Sequence, residues 1–226
     1  MISWTAEALN TAPNSDNKIH GDELAKKYGF QGGLVPGVTI SAYLVHPVIE
    51  LWKEDWLEKG FANCRITSPL YNEETFTVDI DDSNKKRLNT ALVRSNGVVS
   101  ANAEVSITNE LPDPPIRRGD PVANKDYQPP EATIAVWKNL QKEGCRAFRY
   151  TWGGDSPLIY LKDSKDLPEL LQPELGGFSN LSFLLGCSNW VLAGNGYMNP
   201  WMHLQTISQN YRSVKIGTDL IAEMKV

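Results

Sequence analysis

Cysteine is scarce and scattered. Cys64, Cys145 and Cys187 are the three in 226 residues, and they share neither a metal-ligand nor a redox spacing. Such a set fits a reducing compartment better than a disulfide framework. No basic run of any length occurs, and the net charge of -5 argues against a nucleic-acid surface. Lys85-Lys86-Arg87 sits beside Asp81 and Asp82 and reads as a solvated hairpin tip. No apolar run approaches the roughly 20 residues that span a bilayer. Residues 1–7 lack the basic and apolar regions of a signal peptide, so a cytoplasmic location with no membrane partner is expected. No ligand cluster or dinucleotide fingerprint is present, so neither a metal nor a redox cofactor is implied.

What is present is an ordinary globular composition, 41% apolar and 22% charged, with length for one large domain or two small ones. Residues 38–59 carry Leu44, Val48, Leu51, Trp52 and Leu57 at helical spacing and end at Gly60, which predicts a long helix bent at Pro47. Residues 64–67, 76–80, 88–94 and 98–108 are rich in β-branched and aromatic side chains between turn signals and predict an antiparallel meander. Residues 109–130 are crowded with proline and read as an extended linker. A short helix over 131–142, a strand over 145–152, a helix over 178–193 and a strand over 201–208 are expected beyond it.

The two halves repeat. His20 precedes Gly37 by the same interval as Tyr160 precedes Gly177, and each glycine is followed by a similar stretch, Val38-Thr39-Ile40-Ser41 against Phe178-Ser179-Asn180-Leu181. A fixed offset of this kind marks a duplicated unit. The expected units are residues 1–108 and 131–226. The second is short by two strands, which would leave unpaired backbone at an edge. Either the chain is partial, the preferred expectation, or a partner covers that edge, with a homodimer as one arrangement.

Asn17, Ile19, His20, Asp22, Gly29-Phe30 and Gly37 resemble the signature of MaoC-like (R)-specific enoyl-CoA hydratases, Gly-Asp-x-Asn-Pro-Leu/Ile-His-x-Asp followed by a glycine that opens a helix. The second half supplies Gly154, Asp155, Pro157 and Gly177, with Tyr160 in the histidine's place. The resemblance implies an α+β double hot-dog fold, a long helix wrapped by antiparallel sheet and duplicated, with the second unit lacking its last strands. It implies hydration or dehydration of a 2-enoyl/3-hydroxyacyl thioester carried on CoA or a carrier protein. His20 would be the acid/base, Asp16 or Ser15 the water partner, and the Gly37 N–H the oxyanion donor. Asn17, Val35 and Pro36 would complete the substrate site.

These residue types suit that chemistry. An acid/base must hold and deprotonate a water and deliver a proton to carbon. A helix N-terminus offers N–H donors to the developing oxyanion, and a glycine there permits close approach. The signature's aspartate, however, falls on Ser15, and the nearest carboxylate, Asp16, is displaced by one residue. A serine holds a water without deprotonating it. His20 therefore either faces substrate or anchors its loop, and Asp16 is either a base or an exposed turn residue. Asp22 is expected to cap the turn that follows it. The Tyr160 half is expected to shape the acyl tunnel, and pairing of Asp155 with His20 across the repeat is the minor alternative. Glu50, one turn from His46, carries a thioesterase reading, and loss of the aspartate leaves room for a non-catalytic acyl-binding protein. His203 is expected in a strand in a structural role, with Trp52 and Trp56 in the core or an interface.

Overall fold

Alternation decides the main sheet. In the computed structural model, which describes residues 2–84, 86–154 and 158–226, strand β3 (Thr75–Asp81) turns Phe76, Val78 and Ile80 inward. Strand β4 (Arg87–Arg94) does the same with Leu88, Thr90 and Leu92, and β5 (Val99–Ile107) with Ala101, Ala103 and Val105. With β1 (Ile2–Glu7), β2 (Gly60–Ile66) and β7 (Gln205–Gln209), these strands form an antiparallel sheet in the order β1-β3-β4-β5-β2-β7. Period-two burial on one face sets the register, since a one-residue slip would expose the whole apolar set.

The sheet wraps α2 (Gly37–Lys59), whose side chains from Val38 to Ile49 are all buried. The small inward residues of β5 leave room for that close approach. A long helix enclosed by antiparallel strands is the hot-dog architecture, and the α+β class expected above is the class found. A second helix, α4 (Leu181–Asn195), packs on α2 and carries a two-stranded sheet of β6 (Phe148–Thr151) and β8 (Asp219–Ala222). Two further helices, α1 (Asp22–Lys27) and α3 (Ile134–Glu143), are short. Residues 109–130 contain no helix or strand and touch the body through a bridge between Val122 and Ala147.

Several local expectations change. Pro47 lies buried inside α2, and the break falls at Lys53, with φ 47° and ψ -128°. Beyond it Trp56 and Leu57 are again buried. Gly177 does not open a helix: it adopts φ +64°, Phe178 pairs with Lys215, and α4 starts at Leu181 with the Asn180 side chain accepting from the Phe183 N–H. His203 precedes β7 rather than lying within it. Strand β1 had no counterpart in the sequence reading. Lys85, Asp155 and Pro157 lie outside the described residues.

A buried polar cluster joins the halves. Tyr160 is 1% exposed, and its hydroxyl shares a 2.9 Å hydrogen bond with His46 Nδ1 on α2. Trp4 stacks on the same imidazole at 3.7 Å between centroids. The Tyr43 hydroxyl donates to the Tyr160 carbonyl at 3.2 Å and accepts the Leu9 N–H at 2.8 Å. The tyrosine that replaces the repeat's histidine therefore ties strand β1, α2 and the second half together.

Two outcomes follow for stability. Tyr160→Phe leaves a buried ring nitrogen without its partner, and urea unfolding should show a loss of about 1–3 kcal/mol. Burial also pushes His46 down to about 3, whereas an unfolded histidine protonates near 6.5. Between these values the unfolded chain binds the extra proton, so stability falls with falling pH, by at most about 1.4 kcal/mol per unit from this group. His46→Gln should flatten that acid limb.

Candidate functional site

The loop before α2 is held by its own backbone. The Leu34 N–H donates to the Ile19 carbonyl at 3.1 Å, the Asn10 side chain donates to the His20 carbonyl at 2.8 Å, and Asp22 Oδ1 accepts the Gly33 N–H at 2.9 Å. Asp22 is thus a strut across the loop rather than a cap, because it occupies the first position of α1, whose cap is Gly21. The hydrogen bond from Gly33, with Lys26 beside it, holds its carboxyl below the usual range.

This frame presents His20. Its Nδ1 lies 2.8 Å from the Leu34 carbonyl oxygen, and a carbonyl only accepts, so Nδ1 carries the proton and Nε2 keeps its lone pair. Nε2 is 3.4 Å from the Asn17 side-chain nitrogen. Burial lowers the imidazole below 6.5, which keeps the ring neutral at physiological pH. Among the described residues no carboxylate orients it.

His20 belongs to the wall of a cavity of about 540 Å³ between the loop, the start of α2 and α4, as does Asn17 beside its Nε2. Ser15, Asp16, Asn17, His20, Pro36 and Gly37 all line it, so six of the seven expected site residues meet in one place. Val35 is the exception: it is buried, its N–H donates to the Leu70 carbonyl at 2.9 Å, and it lines a separate apolar pocket of about 180 Å³ with Ile40, Leu70 and Met202.

The roles differ from those expected. The Ser15 hydroxyl donates to the Asn17 carbonyl at 3.1 Å, so toward a water it has only its lone pairs to offer as acceptors. Asp16 is exposed at the cavity rim. Asn17 accepts the Trp201 N–H at 3.2 Å and donates to the Trp201 carbonyl at 2.8 Å, so it docks the segment before β7. Gly37 and Val38 have no acceptor for their N–H groups among the described residues, which places two donors of the α2 N-terminus at the cavity. A Cβ on Gly37 would lie 2.7 Å from Ile66 Cδ1 and 2.8 Å from His203 Cβ. The missing side chain is therefore required first by the chain's own packing.

Sequence spacing missed the far wall. Thr11, Ser182, Asn189 and Trp201 line the cavity and come from three distant stretches, Ser182 and Asn189 both lying on α4, which no local pattern connects. His203 also lines it, but its Nδ1 meets Asn189 Oδ1 at 3.3 Å and its Nε2 the Thr206 hydroxyl, so both nitrogens are engaged in holding β7 near α4. Glu50 is exposed and lies about 20 Å along α2 from Gly37 at 1.5 Å per residue. It does not line the cavity, which separates the thioesterase candidate from this site. Among the described residues no three His, Cys, Asp or Glu side chains are grouped to hold a metal.

No protein-family model matches the chain, and no curated protein does. Among solved structures, the chain is similar to a MaoC-like dehydratase from Phytophthora capsici, at 17% identity over 49% of this chain and 42% of that one, with a TM-score of 0.39. It is similar to the (R)-hydratase from A. caviae involved in PHA biosynthesis, at 14% identity over 47% of this chain and 93% of that one, TM-score 0.35. The dehydratase domain of PpsC from Mycobacterium tuberculosis, solved in complex with C12:1-CoA, matches 85% of this chain and 68% of that one at 10% identity, TM-score 0.43. The match spans less than half of the MaoC-like dehydratase's length. At such identities and scores the fold assignment rests on sheet order and the enclosed helix, and the chemistry on the residues of the cavity.

Gly37→Ala should cost about 1–3 kcal/mol in urea unfolding, because Ile66 and the His203 backbone must both move.

Proposed function

We propose that the cavity binds an acyl thioester, carried on CoA or a carrier protein, and hydrates its 2-enoyl form or dehydrates its 3-hydroxyacyl form. The observation that carries this reading is the meeting, in one cavity, of His20, whose Nδ1 is held by the Leu34 carbonyl, with the unpartnered N–H groups of Gly37 and Val38. One end of the site removes a proton and the other stabilises an oxyanion.

In the hydration direction, His20 Nε2 takes a proton from water as the oxygen bonds to the β-carbon. The double-bond electrons shift toward the thioester oxygen, which the α2 N-terminus holds. The imidazolium then returns the proton to the α-carbon, so that one water has been added and the histidine is neutral again. Dehydration runs the same steps backward. The exposed Asp16 at the rim orients the water, and Ser15 serves the loop.

The test is absorbance of the enoyl-thioester band with crotonyl-CoA and a longer 2-enoyl-CoA. The expected result is loss of the band without release of free thiol, abolished in His20→Ala. Because protonation disables the base, kcat/KM should have an acid limb and level off toward neutral pH, the limb lying below the ordinary histidine range because burial lowers His20. Saturable binding with no turnover by the folded parent protein would instead identify a non-catalytic acyl-binding protein. Free thiol release that survives His20→Ala would revive the thioesterase reading.

A further inference from the structure

The half of the cavity remote from His20 is a second environment. Its walls are Phe148 and Tyr150 on β6, Phe183 and Trp190 on α4, and Tyr197 beyond it. Among the described residues no Asp, Glu, Lys or Arg lines this half. A cavity of about 540 Å³ falls in the range of ligand sites, and aromatic walls without charge suit an apolar guest.

One detail of α4 sets the width. Gly186 lies one turn before Trp190, and a Cβ there would be 3.2 Å from both Cζ2 and Cη2 of that indole. Mid-helix glycine weakens a helix relative to alanine, and here it lets the indole lie flat on the helix. The ring is packed by Tyr150 at 5.3 Å and Phe183 at 6.1 Å between centroids. Because Gly186, Trp190, Tyr150 and Phe183 all line the same cavity, an indole pushed off α4 enters the space a guest would use.

We infer that this half receives the medium- to long-chain acyl group of the thioester, and that Trp190, seated on Gly186, is the wall that sets its length. The inference rests on the thioester reading of the site. It adds that the second half, which lacks the reactive histidine, determines which acyl groups fit.

Saturated acyl-CoA thioesters test this without any reaction, since they lack the double bond. Binding of butyryl-, octanoyl-, dodecanoyl- and palmitoyl-CoA is measured by calorimetry for the parent chain, Trp190→Ala, Gly186→Ala and Gly186→Val, with circular dichroism checking the fold. The parent should bind about fourfold more tightly per added methylene until the chain meets Trp190, after which affinity levels off. The ratio of palmitoyl to butyryl affinity should rise by about fifteenfold in Trp190→Ala, the equivalent of two methylenes. It should fall by a similar factor in Gly186→Val, and by less in Gly186→Ala, which keeps the variant closest to the parent in fold. A parent profile independent of length, or folded variants that keep the parent's profile, would overturn the inference while leaving thioester binding intact. A parent that binds none of the four overturns both readings at once.

Discussion

Everything else is arranged around the enclosure of α2. A helix whose side chains are buried from Val38 to Ile49 needs a partner for each polar group it carries inward. The Ser41 hydroxyl turns back to the Gly37 carbonyl at 3.0 Å, and Thr39 stands between Thr11 and Ser182 at 2.7 and 3.1 Å. His46 takes the Tyr160 hydroxyl. Two of these partners come from the second half, so α4 and the segment around Tyr160 are conditions for burying α2, as much as the sheet is. The place where this accounting stops is the first turn. There the backbone donors of Gly37 and Val38 meet a cavity instead of protein.

The two stretches that the repeat aligns are used differently by the fold. At the repeated histidine position, His20 is fixed by a backbone carbonyl and lines the cavity, whereas Tyr160 points into the core and uses its hydroxyl against α2. At the repeated glycine position, Gly37 opens a helix, whereas the Gly177 N–H donates to Gln172 and its carbonyl accepts from Trp152 and Ile216. In the second half both positions are thus taken up by the chain's own packing. Its helix and strand remain free to form walls.

Much of this was legible where a local rule applies. Helical spacing and Gly60 placed α2 to within a residue, and alternation placed β3, β4 and β5 because each has one wet and one dry face. The loop motif brought Ser15, Asp16, Asn17, His20, Pro36 and Gly37 to one cavity. What failed depends on contacts that sequence does not display. The break at Lys53 instead of Pro47 follows from how Trp56 and Leu57 return to the core. The late start of α4 follows from Phe178 and Ser179 pairing with the 214–215 strand-like stretch. Ser15 and Asp22 had their side chains taken by neighbouring backbone, and the partner of Tyr160 sits 114 residues away.

The displaced carboxylate becomes less of an obstacle once the geometry of His20 is considered. A carboxylate beside a catalytic histidine fixes its tautomer and stabilises its charged form. Here the Leu34 carbonyl performs the first task, and burial opposes the second by favouring the neutral ring. A base made this way is available at neutral pH but weaker than one backed by aspartate, so proton return to the α-carbon becomes easier as proton removal from water becomes harder. In the proposed reaction the oxyanion end would then supply a larger share of the barrier reduction. Two adjacent unpartnered N–H groups on a long, rigid helix are suited to that, because donors fixed in place need no reorganisation as charge develops.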